Sequence, residues 1–262
     1  YLEIMSLPVD TPLWEHLHSS DLNPGYFAYA PFRSTLRQTL TLGATWDDYM
    51  HQRSRNFREQ MRRKDRKIRR KYGADGVRIT CIRTPEQVPG FLQDVACILE
   101  RCWQRRLGAT MDVDDLGDRG QAHFLRMAEA TVLRAYVLHL NGDPAAFVLG
   151  TQYRGVFHVK ELAYAAEYGG HGPGTVLMYN VIRDLHAADP PYLCDFGYGD
   201  ARYKREFSTE ATVVSTVWIV RKRAYTRLVF GLHRAVMLLH RAAGDVLARL
   251  GWKSKVLAWL KR

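Results

Sequence analysis

The sequence of 262 residues has little that would indicate a disulfide-rich, metal-binding or membrane-spanning protein. It contains only four cysteines, which form no Cys-x-x-Cys pair and have no histidine partners at the spacing of a zinc site. It also lacks an apolar run of about 18 residues, the minimum that a membrane-spanning helix needs. These absences favour a globular protein without a metal, whose cysteines are free and mostly buried thiols in a reducing compartment.

A signal peptide and an initiating methionine are also absent. The chain begins at Tyr1, and residues 1–40 contain short apolar runs followed by Pro24, Gly25 and Pro31. We interpret this stretch as the end of a longer element and expect that an N-terminal portion is missing. The absence of a signal peptide therefore excludes little.

Acidic residues are scarce in two segments, and this makes the charge of the chain uneven. The net charge is +11. Residues 53–71 carry eleven Lys and Arg residues against two acidic ones, and residues 221–262 carry eleven against one. The remainder is a mildly acidic body. Charge of this kind indicates partners and surfaces rather than a fold.

The first basic segment lies in a predicted helix over residues 45–72. Thr45 suits the N-cap, Asp47 and Asp48 suit the positive end of the helix dipole, and Gly73 suits the stop. Apolar residues recur at steps of three and four, which gives the helix one apolar stripe opposite its arginines. We favour a solvated helix that joins two half-domains; binding of tRNA along the basic face is the alternative.

The middle of the chain alternates between β-rich and helical patterns. Asn141-Gly142-Asp143 between two apolar runs indicates a hairpin. The order β-α-α-β-β-β-α-β-β predicts a mixed sheet with helices on both faces. The predicted strands are 77–83, 135–140, 145–153, 156–165, 191–197 and 212–221, and the predicted helices are 85–106, 119–130 and 175–188, with one or two amphipathic helices over 224–262.

The junction between strand 156–165 and the helix beginning at Thr175 carries the most informative motif. Gly172 and Gly174 precede this helix, where free backbone N–H groups and the positive end of the helix dipole favour an anion such as a pyrophosphate. Glycine also lets a ligand approach the backbone closely. A tight turn without a ligand is the alternative interpretation of the same glycines.

This junction resembles the Q/R-x-x-G-x-G/A signature by which the GNAT superfold holds the pyrophosphate of coenzyme A, although Gly169 stands where Gln or Arg is usual. Further segments occur in order along residues 1–220: WDDYMHQRSRNFREQMRRKDRKI, CWQRRLG, LNGDPAAFVLG, GPGTVLMYNVI and DFGYGDARYKREF. Together they resemble the cellulose-biosynthesis-type acetyltransferases of the CelD/BcsL group, relatives of the Fem-type peptidoglycan transferases.

The resemblance implies an α/β (α+β) fold with a GNAT-like mixed, mostly antiparallel sheet flanked by helices. Family members usually carry two tandem GNAT-like halves, and only the second is complete in this sequence. The implied division is a remnant of the first half over residues 1–44, a basic linker helix over 45–73, a GNAT acyltransferase domain over 74–221 and basic amphipathic helices over 222–262.

The resemblance also implies an acyltransferase that moves an acyl group from acyl-CoA, acetyl or longer, directly to an amine or a hydroxyl. Backbone groups of residues 161–164 would contact the thioester oxygen. The residues expected to bind the donor are Gly170, Gly172, Gly174, Thr175 and Tyr164.

Catalytic candidates lie on the strands around the motif. Charged residues within apolar strands are costly to bury without a purpose or a partner, and this selects Glu161 and Asp195 as candidate bases. A structural ion pair is the alternative for each. The full set of candidates is Asp195, Glu161, Tyr203 and Lys204 for catalysis, and Trp103 and Tyr198 for binding the acceptor.

The basic segments are compatible with several partners. An aminoacyl-tRNA donor or an acyl carrier protein would suit a basic helix, and the C-terminal basic segment would suit peripheral contact with an anionic membrane. A non-catalytic binding module is a further alternative, because Gly169 departs from the signature. The main expectation is a cytoplasmic enzyme, with the inner face of the membrane as an alternative location, acting on a small-molecule, sugar or peptide acceptor.

Overall fold

The structure, a computed structural model, describes residues 1–19, 25–102, 111 and 116–249, with side chains described as far as residue 239. The chain divides into two compact units. The core unit is Leu36–Thr212, and the terminal unit combines Tyr1–Thr35 with Val213–Arg262.

The described elements follow one another closely along the chain. In order they are β1 (Leu2–Pro8), α1 (Pro12–His18), β2 (Tyr26–Tyr29), β3 (Thr35–Thr41), α2 (Trp46–Gln52), α3 (Arg55–Tyr72), β4 (Val77–Ile82), α4 (Val88–Glu100), α5 (Asp118–Glu129), β5 (Ala135–Leu140), β6 (Asp143–Tyr153), β7 (Val156–Tyr164), α6 (Pro173–Ala187), β8 (Leu193–Tyr198), α7 (Arg202–Phe207), β9 (Glu210–Arg221) and α8 (Ala224–Arg249). The sequence pattern did not predict β1, α1, β2, β3 or α7.

A mostly antiparallel sheet forms the centre of the core unit. Its strand order is β3-β8-β7-β6-β5-β4, and each neighbouring pair is antiparallel except β7 and β8. Asn141 and Gly142 form the predicted tight turn between β5 and β6 with positive φ angles of 52° and 84°. The predicted fold class, a mixed and mostly antiparallel sheet flanked by helices, is confirmed.

Both faces of this sheet are covered by helices, because its strands alternate apolar side chains between two cores. On β5, Tyr136 and Leu138 belong to the core formed with α2, α3 and α6. Ala135 and Val137 belong to the opposite core, formed with α4 and α5. Buried residues on both faces explain why β5 is buried along its whole length and is mostly apolar rather than alternating.

The predicted single helix over residues 45–72 is two helices, α2 and α3. Thr45 caps α2 as expected, but Arg53 has extended backbone angles and Ser54 begins a new helix by accepting a hydrogen bond from the N–H of Phe57 at 3.2 Å. The guanidinium of Arg53 donates to backbone carbonyls of Glu206 and Ser208. The break therefore has two physical causes, a local cap and a distant contact.

The predicted helix over residues 85–106 is also shorter than expected. It begins with a single 3-10 turn over Pro85–Gln87, and α4 then ends at Glu100. The side chain of Arg101 turns back to the carbonyl of Cys97 and forms ion pairs with Asp143 and Glu167, at 2.8 and 2.6 Å. Residues 103–106 lie outside the described residues.

In the terminal unit, β1 and β2 each pair antiparallel with β9, and α8 packs through one face. Phe230 lies against Tyr29 and Phe27 with ring centroids 5.0 and 5.8 Å apart. Another face of α8 exposes apolar side chains, including Leu228 and Leu232. Within the described residues, no helix is long and apolar enough to cross a membrane.

A buried arginine connects several elements of the core unit through hydrogen bonds. Arg134 is only 1% exposed, and its guanidinium donates to the carboxylate of Asp184 at 2.8 Å, the hydroxyl of Tyr136 at 2.6 Å and the side-chain oxygen of Gln152 at 2.6 Å. It also donates to the carbonyls of Ala188 and Asp189. Five acceptors around one buried cation connect β5 and β6 to the end of α6.

Replacing Arg134 with methionine should lower the free energy of unfolding by about 3 to 5 kcal/mol, because the acceptors around it would lose their donor. The matched control is Arg83→Met, since Arg83 and Asp189 form an exposed ion pair that contributes at most about 1 kcal/mol. Urea denaturation of both variants measures the difference. Equal losses would contradict a special role for the buried arginine.

Candidate active site

The two central strands of the core unit stop pairing part-way along their length. β7 and β8 run parallel, and their last paired positions are His158 and Asp195. β7 continues to Tyr164 and β8 to Tyr198. Beyond the last pair the two strands no longer bond to each other, which is the arrangement that a ligand needs in order to enter between them.

The loop between β7 and α6 depends on two glycines. Gly172 has a φ of 64°, in the left-handed region that side chains disfavour, and α6 begins immediately after it at Pro173. At Gly174, a Cβ atom would lie 2.9 Å from the Leu162 side chain and 3.4 Å from Tyr164. Gly172 therefore sets the turn, and Gly174 lets α6 begin close against β7.

A cavity of about 590 Å³ lies at this loop and is lined by cations from distant parts of the chain. Of the residues predicted to bind a donor, Gly170, Gly172 and Thr175 line it, whereas Tyr164 packs beneath the loop. No acidic residue is among its described lining residues, which are Arg63, Lys64, Lys67, Gly169, Gly170, His171, Gly172, Thr175 and Arg202. The basic helix α3 thus contributes directly to the predicted anion site.

The charges around this cavity perturb its titratable groups. Burial lowers the pKa of Lys64, and the nearby guanidinium groups of Arg202 and Arg63 lower it further, against the opposing charge of Glu206. Burial also lowers the pKa of His171, together with Lys71 and Lys67. Like charges held this close favour binding of an anion, because a phosphate would relieve their repulsion.

Asp195, a predicted base, is nearly buried and accepts hydrogen bonds on both carboxylate oxygens. Arg37 of β3 donates to Oδ2 from Nε at 3.0 Å and from Nη2 at 2.7 Å, and the N–H of Gly197 donates to Oδ1 at 2.8 Å. Burial alone would raise the pKa of Asp195, but these hydrogen bonds and the Arg37 charge outweigh it and lower the pKa. Asp195 is therefore held as a carboxylate.

His158, which the sequence pattern did not identify as a site residue, also contacts Asp195. Its Nδ1 lies 3.4 Å from Oδ2 of Asp195. Burial lowers its pKa, as do Lys160 and Arg37, while Asp195 raises it, and the net effect is a lowered pKa. The signal available in the sequence was a histidine between the apolar residues Phe157 and Val159, which gives no indication of its partner on β8.

The remaining predicted catalytic residues lie close to one another. Burial raises the pKa of Tyr203, and the charge of Glu161 raises it further. Burial lowers the pKa of Lys204, against the opposing charges of Asp195 and Glu161. The ammonium of Lys204 donates to the carbonyl of Tyr198. Five residues predicted from the sequence are thus brought together near the end of the β7–β8 pairing.

One predicted acceptor-binding residue lies outside the described residues. Trp103 lies within the undescribed segment 103–110. Among the described residues, no group of three or more His, Cys, Asp or Glu side chains is arranged to hold a metal.

No curated protein matches the chain. Among solved structures, FemX has a TM-score of 0.55 at 11% identity, with 84% of this chain and 72% of that one covered. A conserved protein of unknown function from Bacteroides thetaiotaomicron has a TM-score of 0.57 at 14% identity, with 84% and 69% covered.

A third similar structure is the C-terminal domain of a proposed lysylphosphatidylglycerol synthetase from Agrobacterium fabrum. It has a TM-score of 0.53 at 10% identity, with 90% of this chain and 72% of that one covered. At such low identity, the likeness of all three structures extends to the fold alone.

The family comparison is more specific, because it matches the residues that build the cavity and the end of the β7–β8 pairing. The model of the acetyltransferase (GNAT) domain family matches residues 55–205, which run from the start of α3 into α7. This match covers more than half of the chain, and the protein therefore belongs to the acetyltransferase (GNAT) domain family.

Proposed function

We propose that this protein transfers an acyl group from acyl-CoA directly to an amine or a hydroxyl, as in the CelD/BcsL group that its sequence resembles. The observation that carries the proposal is the cavity at the start of α6, where Gly172 and four cations surround the positive end of a helix. A pyrophosphate suits this combination of charge and backbone N–H groups. Arg63, Lys64, Lys67 and Arg202 would supply the charge that the signature position Gly169 lacks.

The acyl end of the donor would lie between β7 and β8. The N–H of Ala165 donates to the carbonyl of Ala145. Because N–H groups alternate in direction along a strand, the N–H of Leu162 points away from β6 and toward the β8 side. A donor there would stabilise the oxyanion that forms when the thioester is attacked. This position falls within the predicted stretch 161–164.

Proton transfer would be handled by the cluster near the last β7–β8 pair. Burial and Glu161 raise the pKa of Tyr203 and keep its hydroxyl protonated at neutral pH, and this hydroxyl would supply the proton that the departing thiolate takes up. Glu161 and Asp195 are the candidate bases from the sequence. Lys204 would hold a negatively charged part of the acceptor, which we expect to be a small molecule, a sugar or a peptide of cell-envelope or polysaccharide metabolism.

A second candidate is an aminoacyl-tRNA-dependent transferase of the Fem type. The observation that favours it is the basic surface of α3, on which Arg62, Arg66 and Arg70 are exposed. A polyphosphate backbone would suit such a surface. The likeness to FemX is a likeness of fold and supports both candidates equally.

Replacing Lys64 and Lys67 together with glutamine should weaken CoA binding by about tenfold or more, because a hydrogen bond to a charged group contributes about 1.5 to 3 kcal/mol. Isothermal titration of CoA measures this change. The matched control is Arg66→Gln, since Arg66 is exposed on the same helix and does not line the cavity. If folded wild-type protein binds no CoA ester, the proposal is wrong.

The two candidates predict different partners for α3. For an acyl-CoA enzyme, we expect the triple variant Arg62→Gln, Arg66→Gln and Arg70→Gln to keep its CoA affinity. For a tRNA-dependent enzyme, the same variant should lose a salt-sensitive affinity for aminoacyl-tRNA, because fewer phosphates would be neutralised. Fluorescence anisotropy with labelled tRNA at two salt concentrations distinguishes them. Tight tRNA binding without CoA binding would replace the first candidate with the second.

A further inference from the structure

The last paired position of β7 and β8 brings together three side chains from three strands. Arg37 of β3 donates two hydrogen bonds to Oδ2 of Asp195, and Nδ1 of His158 lies 3.4 Å from the same oxygen. His158 is half-buried, and Asp195 is 9% exposed. A carboxylate held by a guanidinium on one side and facing an imidazole on the other is an arrangement that orients the imidazole.

We propose that His158 is the general base of this site and that Asp195 is its positioning residue. The inference rests on the proposed acyl transfer and concerns which group takes the proton of the acceptor. The tautomer that places the proton on Nδ1, which lies 3.4 Å from Oδ2 of Asp195, leaves the lone pair of Nε2 free to act as the base. Arg37 holds the carboxylate in place.

The hydrogen bonds around the Asp195 carboxylate make it a poor base. Oδ2 already accepts two hydrogen bonds from Arg37 and Oδ1 accepts one from the N–H of Gly197, and these donors stabilise the carboxylate over its protonated form. The lowered pKa of Asp195 agrees with this, because its conjugate acid would give up a proton too readily.

His158 is suited to the role because it is neutral at physiological pH. The charged groups that face it are Asp195 on β8, Arg37 on β3 and Lys160 on its own strand. Burial and the two cations lower its pKa below the usual 6.5, while Asp195 opposes them. The imidazole is therefore neutral at neutral pH, and in the tautomer with its proton on Nδ1 the Nε2 atom can accept one.

The reaction balances with these groups. Nε2 of His158 takes the proton of the acceptor amine or hydroxyl as its nitrogen or oxygen bonds to the thioester carbon. The carbon–sulfur bond then breaks, and the thiolate of CoA leaves and takes a proton from the hydroxyl of Tyr203. The proton on His158 returns to Tyr203 through solvent, which restores both groups.

The first test is the rate of thiol release from acetyl-CoA, with water and a panel of primary amines as acceptors. His158→Gln should lower this rate by about 10² to 10⁴-fold and leave CoA affinity unchanged. The matched control is His16→Gln, because His16 lies on α1 in the terminal unit and is not part of the site. If Glu161→Gln removes the rate and His158→Gln does not, Glu161 is the base and the inference is wrong.

The pH profile tests the same assignment. For the wild type, kcat/KM should fall on the acid side below pH 6.5, the ordinary imidazole value, because the lowered pKa keeps His158 unprotonated down to that point. Asp195→Asn should move this acid limb to still lower pH, since the carboxylate charge that raises the His158 pKa is gone. If Asp195 only stabilised the fold, Asp195→Asn would lower kcat/KM without moving the acid limb of the pH profile.

A spectroscopic test does not depend on the acceptor. Two-dimensional NMR of the 15N-labelled imidazole rings should show His158 protonated on Nδ1 and unprotonated on Nε2 at pH 7. A proton on Nε2 at that pH would overturn the inference. If His158 shows the expected protonation but the protein binds no CoA, the proposed acyl-CoA donor is wrong. Failure of the proposed function and failure of the His158 assignment therefore give different results.

Discussion

Parallel pairing of β7 with β8 requires the chain to cross back over the sheet between them, and α6 makes that crossing. The crossing places the first turn of α6 at the carboxyl end of β7, where the two strands have stopped pairing. Close contact between Gly174 and Leu162 holds the helix there. The cation-lined cavity at one end of the strands and the charged cluster at their last pair, which we propose bind the donor and transfer protons, both follow from this single connection.

The anion site also explains the charge of α3. A helix with eleven Lys and Arg residues in and just before it would repel itself, and two of its cations are already neutralised by ion pairs with Glu59 and Asp65. Three others, Arg63, Lys64 and Lys67, line the cavity at the glycine loop. In that position their mutual repulsion would favour a bound phosphate, so part of the basic segment would serve the proposed donor site.

In the cluster at the last β7–β8 pair, the contacts that stabilise the Asp195 carboxylate also make it a weak base. A nearly buried carboxylate is costly unless it is paired, and Arg37 and Gly197 supply the pairing. The same pairing weakens Asp195 as a base and makes it a fixed negative charge beside His158. A structural ion pair and the proposed role of Asp195 are therefore compatible, because the pairing that stabilises the carboxylate also holds it beside His158.

Local sequence determined most of the elements and the glycine turn. Period-two and period-3.6 patterns predicted the strands and the longer helices between residues 77 and 221, and the glycines before Thr175 predicted the turn, because each signal depends on neighbouring residues alone. Tertiary structure decided the rest. It divided the helix over 45–72 at Ser54, brought Lys67 to Gly172 and joined Arg37 to Asp195 across a separation of 158 residues. No local pattern encodes such pairings, since they arise only when the sheet sets which strands become neighbours.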